Sequence, residues 1–192
     1  MKVVVGLGNP GQTYRDTRHN VGFRVIQVLA ERHQAPMQRR LVSPRDGRPA
    51  GVCGEYAEQG ETVQLLMPLT MMNESGEALR VAGIAPGQLL LVCDDVNLPL
   101  GTIRLRPDGG AGGHHGLESC VEALGTEQVA RLRIGVGVTA LPPDLSDFVL
   151  SPFDTEERPV AMRAIEQAAE ACEVWTREGV DVAMNRYNRV QG

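Results

Sequence analysis

The strongest constraint on this chain is an alternation of short apolar runs with stretches of helical periodicity. Residues 2–7, KVVVGL, are β-branched and bounded by glycine, which predicts a buried strand. Val21, Val25, Val28 and Leu29 then fall at i, i+4, i+7 and i+8, one stripe of a helix across about 20–33. Residues 34–51 are polar and carry three prolines, so a surface loop is expected there. Strands are expected near 51–58 and 62–67, then a loop and a helix to about Val81, closed by Gly83 and Pro86. The run QLLLVCDDVNLPLG reads as a buried strand ending in two carboxylates and a proline turn. TIRLR and RLRIGVGV both alternate with period two, and PDGGAGGHHGL between them reads as a flexible turn feeding a helix from His114 to Leu124. From Asp154 the pattern is helical: Asp154 is placed as a cap, Glu157 answers three residues later, and an amphipathic stretch runs to Arg177 within a helical segment 154–187. Strands alternating with helices predict an α/β fold: one domain over 1–192, a three-layer sandwich with a central mixed, largely parallel sheet flanked by helices.

Composition narrows the class. With 192 residues, 42% hydrophobic and 22% charged, the chain is long enough for a substantial core. No apolar run approaches the roughly 18 residues of a membrane span, and Gly8-Asn9-Pro10 interrupts the opening apolar run too early for a signal peptide. The four cysteines (Cys53, Cys93, Cys120, Cys172) form no C-x-x-C pair, so they are expected to be reduced, small core residues of a cytoplasmic protein. The net charge of -5 disfavours a nucleic-acid partner at first sight, but the charge is polarised. Residues 1–48 carry nine basic against three acidic side chains, and residues 154–181 carry three against eight.

Gly6-Leu7-Gly8-Asn9-Pro10-Gly11 fits G-x-G-x-x-G, yet Pro10-Gly11 favours a tight turn and the helical stripe begins only near Asn20. The acidic residue expected at the end of a second strand is also missing, so a nicotinamide site is not the expectation. The glycines are expected to let the chain leave the first strand sharply and pass close to a ligand. GGAGGHHG lacks the G-K-[ST] of a phosphate-binding Walker loop. His114, His115, Asp94, Asp95 and Cys93 lack H-E-x-x-H and H-x-H spacing, so no metal is expected. His19 follows the first strand, and Asp94-Asp95 end a later one. In an α/β sheet the carboxyl ends of strands gather ligand-binding loops, where either carboxylate could fix the tautomer of an imidazole base. With no G-x-S-x-G elbow, direct attack by an activated water is the economical expectation.

At this point VVVGLGNPGQTYRDTRHNVGF, MPLTMMNESGEAL, VCDDVNLPLGTIRLR, GGAGGHHGLESC, RLRIGVG, FVLSPF and AMNRYN together resemble the bacterial peptidyl-tRNA hydrolase family. The similarity runs in order over nearly the whole chain. It implies a monomeric, metal-independent and cofactor-free cytoplasmic enzyme. Such an enzyme cuts the ester between a peptide and the 3′-terminal ribose of tRNA, engaging the CCA end and acceptor region, with no membrane partner. The resemblance makes His19 the base, Asp94 its partner, and Asn9 the asparagine that discriminates N-blocked peptides. It places Tyr14 near the terminal nucleotide, Asn73 on the peptide main chain, and Arg104, Arg106 and Arg133 on phosphates.

Three positions depart from the family pattern. His115 stands where the family usually has an asparagine that contacts substrate, Met71 where phenylalanine is common, and Asn97 where aspartate is usual. A neutral imidazole lacks the side-by-side donor and acceptor of an amide. The rival expectation is an RNA-binding scaffold without activity, kept open by His115.

Overall fold

The computed structural model describes residues 1–188. Seven strands are seen among them: β1 (Lys2–Gly6), β2 (Arg39–Val42), β3 (Pro49–Glu58), β4 (Glu61–Pro68), β5 (Leu89–Pro99), β6 (Ile103–Arg106) and β7 (Ala130–Gly137). They form one sheet in the order β2-β3-β4-β1-β5-β7-β6. β4, β1, β5 and β7 run parallel, while β2, β3 and β6 add antiparallel edges. The sheet is therefore mixed and parallel at its centre, as the alternation predicts.

The helices are α1 (Val21–Arg32), α2 (Gly76–Ala82), α3 (His115–Leu124), α4 (Leu145–Val149), α5 (Arg158–Glu178) and α6 (Val180–Tyr187). Two cores lie on opposite faces of the sheet. Val4, Leu90 and Val92 pack with Val25, Ile26 and Leu29 of α1 and with Ala168 and Cys172 of α5. Val3, Val5, Leu89 and Leu91 pack with Ala78 and Leu79 of α2 and with Leu117 and Cys120 of α3. Adjacent residues of one strand enter different cores because side chains alternate across a strand. Both faces are covered, hence the near-continuous apolar runs of β1 and β5.

Four features depart from the sequence expectations. Residues 34–51 are not all loop: β2 lies within them, pairing with β3, which starts at Pro49. β2 is an edge strand burying only Leu41, so little hydrophobic pattern marks it, and a proline is tolerated at the first residue of a strand. β7 sends Leu132, Ile134 and Val136 into one core, as the alternation predicts, but its other face is covered too: Arg131 is buried there and donates to the Gly109 and Gly110 carbonyls of the glycine-rich loop. Near Asp154 the cap is half built. The Glu157 carboxylate accepts the Asp154 N–H at 2.8 Å, but the Asp154 side chain makes no capping bond and α5 begins at Arg158. Gly179, at φ 89°, then separates α5 from α6.

Gly11, at φ 103°, lets the chain turn sharply after the first strand as expected, whereas Gly6 and Gly8 serve a packing purpose. A Cβ at Gly6 would sit 2.2 Å from the Gly22 carbonyl oxygen, and one at Gly22 would sit 2.5 Å from both the Leu7 and Val92 carbonyl oxygens. A Cβ at Gly8 would meet the Phe23 ring at 2.7 Å. Gly6, Gly8 and Gly22 thus let the start of α1 lie directly on the strand ends. Since backbone cannot give way as a side-chain tip can, Gly22→Ala should cost about 1–3 kcal/mol, the usual range for overpacking. Thermal unfolding would then show a midpoint lowered by about 2–4 °C per kcal/mol.

Candidate active site

Loops from the carboxyl ends of the central strands meet at one cleft of about 530 Å³. Asn9 and His19 come from the segment after β1, Met71 and Asn73 from the turn after β4, and Asp94 from β5 itself. Gly112, Gly113 and His114 come from the loop before α3, His115 from the first position of that helix, and Leu145, Ser146, Val149 and Leu150 from α4 and its end.

His19 Nδ1 lies 2.7 Å from Asp94 Oδ1. Asp94, not Asp95, holds the ring. Successive strand residues face opposite ways, and Asp95 Oδ2 instead accepts from Arg133 Nη1 at 3.1 Å. The same Asp94 oxygen also lies 3.0 Å from Nε2 of His114. The protonation of His114 follows from its other nitrogen. Nδ1 caps α3, accepting the Gly116 and Leu117 N–H groups at 3.1 and 3.2 Å, so it carries no proton and Nε2–H donates to Asp94. Burial alone would raise the pKa of the Asp94 carboxyl. The His114 and His19 rings outweigh that burial and hold it well below the usual carboxylate range. The ionised Asp94 accepts a hydrogen bond from Nδ1–H of His19, which leaves the Nε2 lone pair of His19 free to accept a proton.

Asn9 is oriented as strictly. Its backbone N–H donates to Asn20 Oδ1 and its carbonyl accepts from Asn20 Nδ2, both at 2.9 Å. Its Oδ1 accepts the Met72 N–H at 2.8 Å, so the buried amide turns its Nδ2 donor away from that turn, with no protein partner among the described residues. Asn73 is exposed on the same turn, and Met71 is a 43% exposed apolar side chain on the cleft wall.

Of the residues singled out from sequence, the cleft therefore brings together Asn9, His19, Met71, Asn73, Asp94, His115 and Arg133. Three lie elsewhere. Tyr14 is half-buried in the turn after β1, and Arg104 and Arg106 project from the edge strand β6. Arg104 stands opposite Arg133 and Arg106 opposite Arg131. Neither Arg104 nor Arg106 has an acidic partner among the described residues, so both guanidiniums face solvent. Arg133 is committed: besides Asp95 it donates to the Gly110 carbonyl at 2.8 Å and so pins the glycine-rich loop. Gly112 and Gly113, at φ 63° and 80°, then carry that loop toward the cleft in a conformation that favours glycine. His115 sits at the rim, its Nδ1 3.1 Å from Glu118.

His114 is the site residue that sequence reasoning passed over, having weighed it only as a metal ligand. The available signal was a histidine directly before a helix start, where a ring nitrogen can cap. All four cysteines are buried, and burial pushes the Cys120 thiol up to about 12, which fits the expected core role.

A histidine oriented by a buried carboxylate, beside amide side chains in an open cleft of an α/β sheet, is an arrangement suited to acid–base chemistry. The comparisons say which kind. The profile of the peptidyl-tRNA hydrolase family matches residues 3–192, and the chain belongs to that family. It is 43% identical over 192 residues to a peptidyl-tRNA hydrolase of Syntrophomonas wolfei, covering 98% of this chain and all of the relative. It is likewise 43% identical over 192 residues to that of Geobacillus thermodenitrificans, with the same coverage. The crystal structure of peptidyl-tRNA hydrolase from Acinetobacter baumannii superposes with a TM-score of 0.86 at 33% identity, covering 98% of this chain and 94% of the other.

The depressed Asp94 pKa has a thermodynamic consequence. A carboxyl whose folded pKa lies below its unfolded value stabilises the fold above the unfolded value, about 4, and loses that contribution as pH falls through the folded one. Between pH 5 and pH 2, chemical denaturation should show a steeper loss of stability for the wild type than for Asp94→Asn.

Proposed function

We propose that the protein hydrolyses the ester joining a peptide, or an N-blocked aminoacyl group, to the 3′-terminal ribose of tRNA. The observation that carries this reading is the 2.7 Å His19–Asp94 hydrogen bond opening on the cleft. Membership of the family gives that pair its substrate class.

In the proposed cycle His19 Nε2 takes a proton from water as the oxygen attacks the ester carbonyl carbon. Asp94 stabilises the imidazolium so formed. The tetrahedral intermediate expels the ribose oxygen, which receives the proton from His19, leaving a peptide carboxylic acid that ionises and a tRNA with a free hydroxyl. A positioned base contributes about 10²–10⁴-fold, and an activated ester needs no covalent intermediate. Asn9 Nδ2 and the Asn73 amide are suited to bind peptide main chain whatever its side chains. Met71 presents an apolar surface to the tRNA end, and His115 replaces an amide with an imidazole at the rim. Tyr14 serves the terminal nucleotide from outside the cleft.

The reaction is metal-independent on this reading. His19, Asp94 and His114 lie close enough to suggest a cation site. A cation on His114 Nε2 would force the proton onto Nδ1, against the two backbone N–H groups that Nδ1 accepts. The enzyme is proposed to act as a cytoplasmic monomer without cofactor. Among the described residues, no helix is long and apolar enough to cross a membrane.

Arg104 and Arg106 are proposed to meet phosphates, adding affinity without sequence readout, which suits an enzyme serving many tRNAs. Arg133 contributes chiefly by holding the loop.

Purified His19→Ala should stay folded and lose about 10²–10⁴-fold in turnover of N-acetylaminoacyl-tRNA. Unmodified protein that binds this tRNA yet releases no peptide would favour a non-catalytic RNA-binding scaffold instead. Arg106→Ala should raise KM more than it lowers kcat and flatten the salt dependence of tRNA binding by about one unit of slope.

A further inference from the structure

Arg18 precedes His19, and its side chain is 4% exposed. Its Nη2 donates to Glu157 Oε2 at 2.7 Å, while Nε and Nη1 are buried with no hydrogen-bond partner. Such orphaned donors are uncommon and call for a reason. The guanidinium lies 4.4 Å from the centre of the Phe148 ring and 4.9 Å from that of Phe153. Phe148 belongs to α4, the helix whose Leu145, Ser146 and Val149 line the cleft.

The wall itself has little else to hold it. No residue from 138 to 160 is buried, and the half-buried Phe153, four residues beyond the end of α4, is the residue of this segment that packs against a core; α4 itself supplies none. Its attachment runs through the turn that carries His19: the Arg18 N–H donates to the Ser151 carbonyl at 3.0 Å, and Thr17 forms an isolated bridge with Pro152. Glu157 also accepts the Asp154 N–H, so one guanidinium joins α4, the turn after it and the start of α5.

We infer that Arg18 is a positioning residue, a cationic clasp that holds the α4 wall beside His19 and so sets the width of the substrate cleft. The clasp depends on a planar ion that stacks on aromatic rings while hydrogen bonding at one edge, which lysine cannot reproduce. The inference rests on the proposed hydrolase reading for its kinetic consequence, but not for its structural one.

The test uses Arg18→Lys and, because Phe148 is itself only half-buried, Phe148→Leu, which removes one ring and leaves the Arg18–Glu157 pair intact. Hydrogen exchange of the 145–151 amides should speed up in both variants, with exchange in β1 and β5 unchanged. With N-acetylaminoacyl-tRNA, KM should rise about tenfold, the scale of a desolvated cation–π contact, while kcat and its pH profile stay near wild type. Unaltered exchange in either folded variant would overturn the clasp. So would a fall in kcat with a displaced pH profile, because Arg18 would then act on His19 and not on the wall. Failure of the hydrolase reading would show separately, as wild-type protein without turnover whose variants still exchange faster.

Discussion

The site depends on one carboxylate kept charged where water scarcely reaches. Burying Asp94 without partners would cost more than the fold could offset, and the group would take up a proton. Two imidazoles prevent this by directing N–H groups at the same oxygen. The pairing is asymmetric in purpose. His114 spends both nitrogens on structure, one on Asp94 and one on the α3 amides, whereas His19 spends only one. Nε2 of His19 is left without a protein partner among the described residues. The helix cap thus fixes a tautomer, the tautomer supports a charge, and the charge orients the His19 ring.

That arrangement requires the turn after β1, the end of β5 and the loop between β6 and α3 to meet within hydrogen-bond reach. Parallel β4, β1 and β5 place their carboxyl ends side by side, and the Gly6–Gly22 approach sets α1 directly on them. The His19 turn therefore has a rigid floor on one side. Its other side is different in kind: α4 is surface-borne and tied by Arg18. The cleft thus has one wall rooted in the core and one held by a cation.

Much of this was legible in the chain. The runs at 2–7 and 88–101 were readable as central strands because burial on both faces leaves a continuous apolar signal. The stripe of α1 was readable because one face alone is buried. β2 was not, since an edge strand needs few apolar residues, and α4 was not, since a helix without a buried face carries no period. Family resemblance supplied Asn9, Asn73 and Asp94. It offered no account of His114, whose role depends on amides two and three residues ahead and on a carboxylate twenty positions behind.

The sequence by itself determined the layered α/β architecture and the family, because periodicity and local motifs are properties of neighbouring residues. The tertiary structure alone decided which of two adjacent aspartates holds His19, and that Arg133 is tied to the loop while Arg104 and Arg106 face solvent. It also decided that Arg18 is buried between two rings. Those outcomes depend on where strand ends and loops distant in sequence come to rest. Hydrogen bonds and ion pairs act over a few ångströms in space, whatever the distance along the chain.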